Sequence, residues 1–247
     1  MKMDNSLPEQ WQQLLSIDDS LCESAKQVLF GSDYVSQWGQ RNPDRAEALL
    51  RSGDLQQVYD EHGFQTRLTE MLLDVADEKT LHQQLRHFRQ REMVRIIWRD
   101  LAGWADLAET VRELSAMADA CLKQALAMLH EWQRQDLGSS INDEGEEQHL
   151  LVIAMGKLGA GELNLSSDID LIFAYPEHGE TQGGRKTLSN EEYFTRLGRK
   201  LIQALDNVTA DGFVFRVDMR LRPFGDSGAL VASFDSLENY YQTQGRE

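Results

Sequence analysis

The spacing of apolar residues changes once along this chain, and the change limits the folds open to it. Up to Leu137, apolar side chains recur at steps of three and four, as on one face of a helix. Leu81, Leu85 and Phe88 lead into Met93, Ile96, Ile97 and Leu101. A second stripe runs through Leu107, Val111, Leu114, Ala118, Cys121, Leu122, Ala125, Leu126 and Leu129. Asp106 and Glu109 have the three-residue offset of a capping box at its start. Shorter helices are predicted over 18–30, 44–51 and 64–75. Few residues here alternate at period two, so no sheet is predicted before about residue 148.

After that point short apolar runs alternate with turns. Leu150 to Met155 is unbroken and apolar, the pattern of a strand covered on both faces, and Gly156 follows as a turn. Asp168 to Tyr175, Phe213 to Leu221 and Ala229 to Val231 are further strand candidates. Ser189 and Glu192 have capping-box spacing before a helix with the stripe Phe194, Leu197, Leu201, Ala204, Leu205 and Val208. Ser233 is placed to cap a last helix. Gly138 to Glu147, between the two textures, is polar, acidic and Gly/Ser-bearing, and reads as a linker or exposed loop. The expectation is an α+β chain. An all-helical region spans 1–137, a linker 138–147, and a domain with a small mixed sheet flanked by helices spans 148–247.

Composition excludes several classes. With 41% hydrophobic residues and 4 prolines the chain is too apolar to stay disordered. It has no apolar run long enough for a membrane span and no apolar signal core after Met1. A net charge of −16 argues against a sequence-independent grip on nucleic acid. Cys22 and Cys121 lie far apart in helical stretches, which fits free thiols in a reducing cytoplasm. The histidines show no metal-ligand spacing, so no structural zinc site is expected. Arg86, Arg89, Arg91, Arg95 and Arg99 crowd one helix, and the last three share a face. A solvated or salt-bridged face is expected there, with a docking surface as the sharper alternative.

Chemistry concentrates between Met155 and Leu171. Side chains two apart on a strand share a face, so Asp168 and Asp170 aim at one point while Ile169 and Leu171 enter a core. Two carboxylates this close call for a positive partner, and hard oxygen ligands suit Mg²⁺. The turn at Gly156 offers backbone N–H groups to an anion. Lys157 adds a mobile charge, and Ser166 and Ser167 add hydroxyls. Neither a P-loop nor a dinucleotide fingerprint is completed by these glycines. Downstream, Arg216, Asp218, Arg220 and Arg222 alternate with Val217, Met219 and Leu221. A salt-bridged edge strand would show the same alternation. Beside Asp168 and Asp170 it fits instead a third carboxylate flanked by phosphate-binding guanidiniums.

Together these segments resemble the nucleotidyltransferase superfamily of the DNA polymerase beta type. Met155-Gly156 opens its pattern, Asp168-Ile169-Asp170-Leu171 follows at the right distance, and Val217-Asp218-Met219 supplies the third carboxylate. Lys157 stands where that superfamily usually has Gly or Ser. The longer words Gly156-Lys157-Leu158-Gly159, Glu162-Leu163-Asn164, Ser166-Ser167-Asp168-Ile169-Asp170-Leu171-Ile172-Phe173 and Arg216 to Pro223 are similar to the bifunctional glutamine synthetase adenylyltransferase/adenylyl-removing enzymes. Lys157 is typical of that family.

The resemblance implies an N-terminal piece of a longer enzyme with two nucleotidyltransferase domains, cut short on the C-terminal side of its first one. It implies that this half removes AMP from a tyrosine of adenylylated glutamine synthetase, using phosphate and releasing ADP. The other half would add AMP from ATP, and a PII signal protein and glutamine would set the balance. It further implies that Asp168, Asp170 and Asp218 hold Mg²⁺ and do the catalytic work. Gly156, Lys157, Ser166, Ser167, Arg216, Arg220 and Arg222 are then the candidates for nucleotide and phosphate. A nucleotidyltransferase that adds AMP or UMP to another acceptor would share the three carboxylates, and so would an inactive partner-sensing module. The words around Lys157 and Arg222 favour the first reading.

Overall fold

The computed structural model describes residues 19–60 and 62–244. Residue 18, the start of the first predicted helix, lies outside them, as do the outer ends of the two predicted regions. Three short helices come first: α1 (Asp19–Gly31), α2 (Asp33–Arg41) and α3 (Pro43–Ser52). They bury Leu21, Val28, Val35, Trp38 and Leu49 against Val94 and Trp98 of the long helix α5 (Glu78–Leu101). α4 (Gly63–Leu72) and α6 (Leu107–Leu137) complete the helical part. Asp106 caps α6 by accepting the Glu109 N–H at 2.8 Å. The Glu109 carboxylate does not return the bond as a capping box would, because it pairs with Arg99 at 2.5 Å.

The arginine face of α5 is salt-bridged, as one of the two expected forms, but it is largely interior and not solvated. Arg86, Arg95 and Arg99 are fully buried. Arg95 makes two bonds to the Glu113 carboxylate, at 2.8 and 3.0 Å, and lies over the Tyr59 ring. Arg86 donates to the carbonyls of His82, Asn207 and Gly212 at 2.6, 2.6 and 2.9 Å. Gln90, one turn on, donates to the Asp211 carbonyl at 2.7 Å. α5 therefore clamps the loop that delivers the chain to its last strands.

The sheet runs β2 (Leu151–Met155), β3 (Ile169–Tyr175) and β5 (Val217–Asp218), with β6 (Val231–Ser233) beside the far end of β3. β2 is antiparallel to β3; β5 and β6 are parallel to it. α8 (Asn190–Asp206) packs on one face and α9 (Phe234–Gln244) on the other. Ser189 caps α8 and Ser233 caps α9 as predicted, each hydroxyl accepting an N–H three residues on. One apolar core joins Leu85, Cys121 and Leu129 of the helices to Leu171, Phe173, Phe194 and Leu197, so the helical part and the sheet share an interior.

Four expectations need correction. Residues 138–142 are not a loop but strand β1 (Gly138–Asn142), paired antiparallel with β4 (Gly179–Gly183). Its polarity is internal: buried Ser140 donates to Asn190 Oδ1 at 2.6 Å, and Asn190 donates to the Ile141 and Glu177 carbonyls. A Cβ on Gly179 would meet the Ile141 carbonyl at 1.9 Å, so this close pairing requires glycine there. β2 is an edge strand, with Leu151 and Ile153 exposed by 40% and 39%. They share a face with Ile172 and Ala174, which α9 reaches through Leu237. Val208 lies beyond the end of α8 and is exposed. The strand predicted over 213–221 shrinks to Val217–Asp218. Before it, the N–H groups of Val214 and Phe215 turn to the Leu205 carbonyl. After it, Asp218 Oδ1 accepts the Arg220 N–H at 2.8 Å and bends the chain away from the ladder.

Candidate active site

Three elements converge at the N-terminal end of β3. Ile169 and Leu171 are wholly buried and fix the strand, which leaves Asp168 and Asp170 on its other side. Asp170 has Met155 as its cross-strand partner on one side and Asp218 on the other. The parallel register thus sets the second and third carboxylates side by side, about 5 Å apart between backbones. The Met155 partnership brings Gly156 over Asp170. Gly156 has φ +55°, and a Cβ there would lie 2.6 Å from Asp170 Oδ2. Only glycine lets the turn approach the carboxylate this closely.

Two of the carboxylates carry arginine. Arg216 Nε bonds Asp168 Oδ1, and its Nη2 donates to the Ser166 carbonyl at 2.6 Å. Arg220 Nε donates to both Asp218 oxygens at 3.0 and 2.8 Å. Those side-chain bonds, with the Arg220 N–H, hold the Asp218 carboxyl below its usual range. The Asp170 carboxylate has no hydrogen bond or ion pair to another described residue. The three carboxylates present only hard oxygen donors, and two of them are held by arginines exposed enough to move aside. This donor set fits Mg²⁺.

The remaining predicted residues divide. Gly156 and Lys157 belong to the one-turn helix α7 (Gly156–Gly159). Lys157 Nζ donates to Ser167 Oγ at 3.2 Å, and Ser167 donates to Asn164 Oδ1 at 2.5 Å. Lys157 and Ser167 therefore stand at the same rim as the carboxylates, and Ser166 offers its carbonyl to Arg216. Arg222 makes no bond to the carboxylates, although its charge helps to hold the Asp218 carboxyl low. Its side chain is mostly buried, donates to the Met219 carbonyl at 2.7 Å, and approaches Asp226 at 3.6 Å. It braces the turn that carries Arg220 and does not touch the three carboxylates.

Sequence reasoning missed the cleft beside the site. A cavity of about 290 Å³ opens next to Ser166, Ser167 and Arg216, walled by Tyr34, Arg89 and Phe215. Arg89 lies over the Phe213 and Phe215 rings at 5.3 and 5.9 Å. The signal was the aromatic pair just before Arg216, but its partners come from α2 and α5, more than 100 residues upstream.

Residues 22–247 match the family model described as glutamate-ammonia ligase adenylyltransferase. A bifunctional glutamine synthetase adenylyltransferase/adenylyl-removing enzyme of Nitrosococcus oceani is 58% identical over 217 residues, which cover 87% of this chain and 22% of the relative. Relatives of the same description from Pseudomonas aeruginosa and Shewanella oneidensis are 53% and 46% identical. Their matches cover 91% and 98% of this chain, and 23% and 25% of the relatives. The chain thus spans about a quarter of the length of these relatives. With the motif words, the converging carboxylates and a match over nearly its whole length, the chain belongs to the glutamate-ammonia ligase adenylyltransferase family.

Proposed function

We propose that this chain carries the adenylyl-removing site of a bifunctional enzyme that regulates glutamine synthetase. The observation that supports it most is the convergence of Asp168, Asp170 and Asp218 beneath Gly156, in a member of this family. The substrate is adenylyl-tyrosine on glutamine synthetase. Inorganic phosphate attacks the α-phosphorus, a new phosphorus–oxygen bond forms, and the bond to the tyrosyl oxygen breaks. That oxygen takes up a proton, leaving free tyrosine and ADP. A PII-type signal protein belongs to the same reading as the regulatory partner.

Asp168, Asp170 and Asp218 would hold Mg²⁺, whose charge would offset that of the reacting phosphate oxygens. The chain's own residues do the positioning. Arg216 and Arg220 rest on carboxylates and have exposed side chains. When the carboxylates are otherwise neutralised, both guanidiniums are free to grip the incoming phosphate. Ser167, steadied by Asn164 and Lys157, and the Gly156 N–H face the adenylyl phosphate. Arg222 positions Arg220 through the turn. Orientation and charge neutralisation carry such a transfer, with little covalent work for the protein.

The test is to incubate the whole protein with adenylylated glutamine synthetase, Mg²⁺ and isotopically labelled phosphate. Label in the β-phosphate of ADP is expected. Release of AMP without incorporation, or transfer only of AMP or UMP from a nucleoside triphosphate to another acceptor, would overturn the reading.

A further inference from the structure

Away from the carboxylates, the fold assembles a second and chemically different set of ligands. His130 lies in the last third of α6, and Glu147 and His149 lie on the segment entering β2. One ligand atom from each of the three lies within 4.8 Å of the others. The arrangement follows from the backbone. Glu147 forms an antiparallel bridge with Ile141, and Gln148 and Leu150 are buried. Alternation then turns Glu147 and His149 out together, toward the helix. The Gln148 N–H donates to the Ser140 carbonyl at 2.8 Å, and its side chain accepts the Glu177 N–H at 3.1 Å. The segment is pinned from both sides before any ligand arrives.

None of the three side chains makes a hydrogen bond or ion pair with another described residue, and His130 also meets the Tyr193 ring edge to face at 6.1 Å. The His130 and His149 rings meet edge to face at 5.3 Å, and His130 Nε2 is buried without a hydrogen bond.

We propose that His130, Glu147 and His149 bind one borderline transition-metal ion of the zinc class and so fasten the end of α6 to the strand entering β2. Two imidazole nitrogens and one carboxylate select zinc, cobalt or nickel over Mg²⁺, which prefers oxygen throughout. A His₂Glu set leaves the fourth tetrahedral position for water. Ligands on a zinc ion with bonds of about 2.0 Å stand about 3.3 Å apart, so the side chains close by roughly 1.5 Å at most. Exposed Glu147 and His149 can make that movement by rotation.

The probe is Zn²⁺, titrated calorimetrically into metal-stripped chain with Mg²⁺ in excess, and Co²⁺, read by its visible absorption. One tight equivalent of Zn²⁺ and an intense, tetrahedral-type Co²⁺ spectrum are expected. Zn²⁺ should also raise the melting temperature, because it binds the folded state. His149→Ala removes an exposed ligand. It should fold and melt as the parent does without metal, yet lose the equivalent and the spectrum. Asp168→Asn with Asp170→Asn should keep both. No binding by the parent chain, unchanged binding in His149→Ala, or loss of binding in the double aspartate variant would overturn the proposal.

Discussion

Gly156→Ala is the most informative single change, because it separates the fold from the site. The residue sits at φ +55°, where an L side chain costs about 1–2 kcal/mol. For a chain of this size that lowers the melting temperature by roughly 2–8 °C, which leaves the protein folded at working temperature. The effect on the site is larger. The new Cβ would stand 2.6 Å from Asp170 Oδ2, and ordinary contact begins at 3.4 Å, so the carboxylate or the turn must retreat by about 0.8 Å. Displacement of a positioned group on the 1 Å scale costs on the order of 100-fold in rate. The assay is phosphorolysis of adenylylated glutamine synthetase by the whole protein, beside a thermal melt followed by circular dichroism. The expected result is a rate lower by about two orders of magnitude with a melt shifted by only a few degrees. A rate within about twofold of the parent would refute the claim that this turn positions Asp170.

Other consequences follow from the buried charges and the arginine clamps. Arg95→Met strands the buried Glu113 carboxylate and should cost about 3–5 kcal/mol in a denaturant titration. Adding Glu113→Leu should return a large part of it, and a double variant no more stable than the single would count against the pairing. Arg220→Gln removes the side-chain bonds that do most to hold the Asp218 carboxyl low, and keeps the backbone one. A depressed carboxyl contributes stability above its unfolded pKa and loses it as pH falls through the folded one. The variant should therefore lose activity and stability at a higher pH on the acid side, as pH profiles of rate and melting temperature would show. Arg86→Ala leaves the Asn207 carbonyl without its donor, at about 1–3 kcal/mol, and takes a second donor from the Gly212 and His82 carbonyls. Hydrogen exchange over residues 207–218 should accelerate more than over α1–α3.

What the sequence revealed and what it hid have different causes. The long helices α5 and α6, the caps Asp106, Ser189 and Ser233, and the strand at Asp168–Tyr175 were legible because local pattern and tertiary burial agree there. α2 was not predicted, although Ser32 accepts the Val35 N–H at its start, because its nine residues carry little apolar stripe. β1 was hidden because its buried residues are polar and satisfied by hydrogen bonds, which composition cannot distinguish from exposure. The salt-bridged face of α5 was legible, but its burial was not, because the partners, Glu113 and the Leu55 and Gly212 carbonyls, are distant in sequence. At the site, spacing alone placed Asp168 and Asp170 on one face. That Asp218 lies beside Asp170 is set by the parallel register of β3 and β5. Arg222 was assigned to the same face by extending an alternation that the Asp218 side chain itself terminates. The cluster of His130, Glu147 and His149 left no mark, since helix and strand meet only in the fold.

The central claim is that the carboxylates at the head of β3 remove AMP from glutamine synthetase. It is tested most directly by Asp168→Asn with Asp170→Asn in the whole protein, measuring phosphate-dependent ADP release from adenylylated glutamine synthetase. Both positions are on the accessible side of a strand whose other side is buried, so the variant should fold as the parent does, by melt and by circular dichroism. The account predicts that ADP release falls to background while ATP-dependent adenylylation by the remainder of the protein persists. Unchanged ADP release from the folded variant would contradict it.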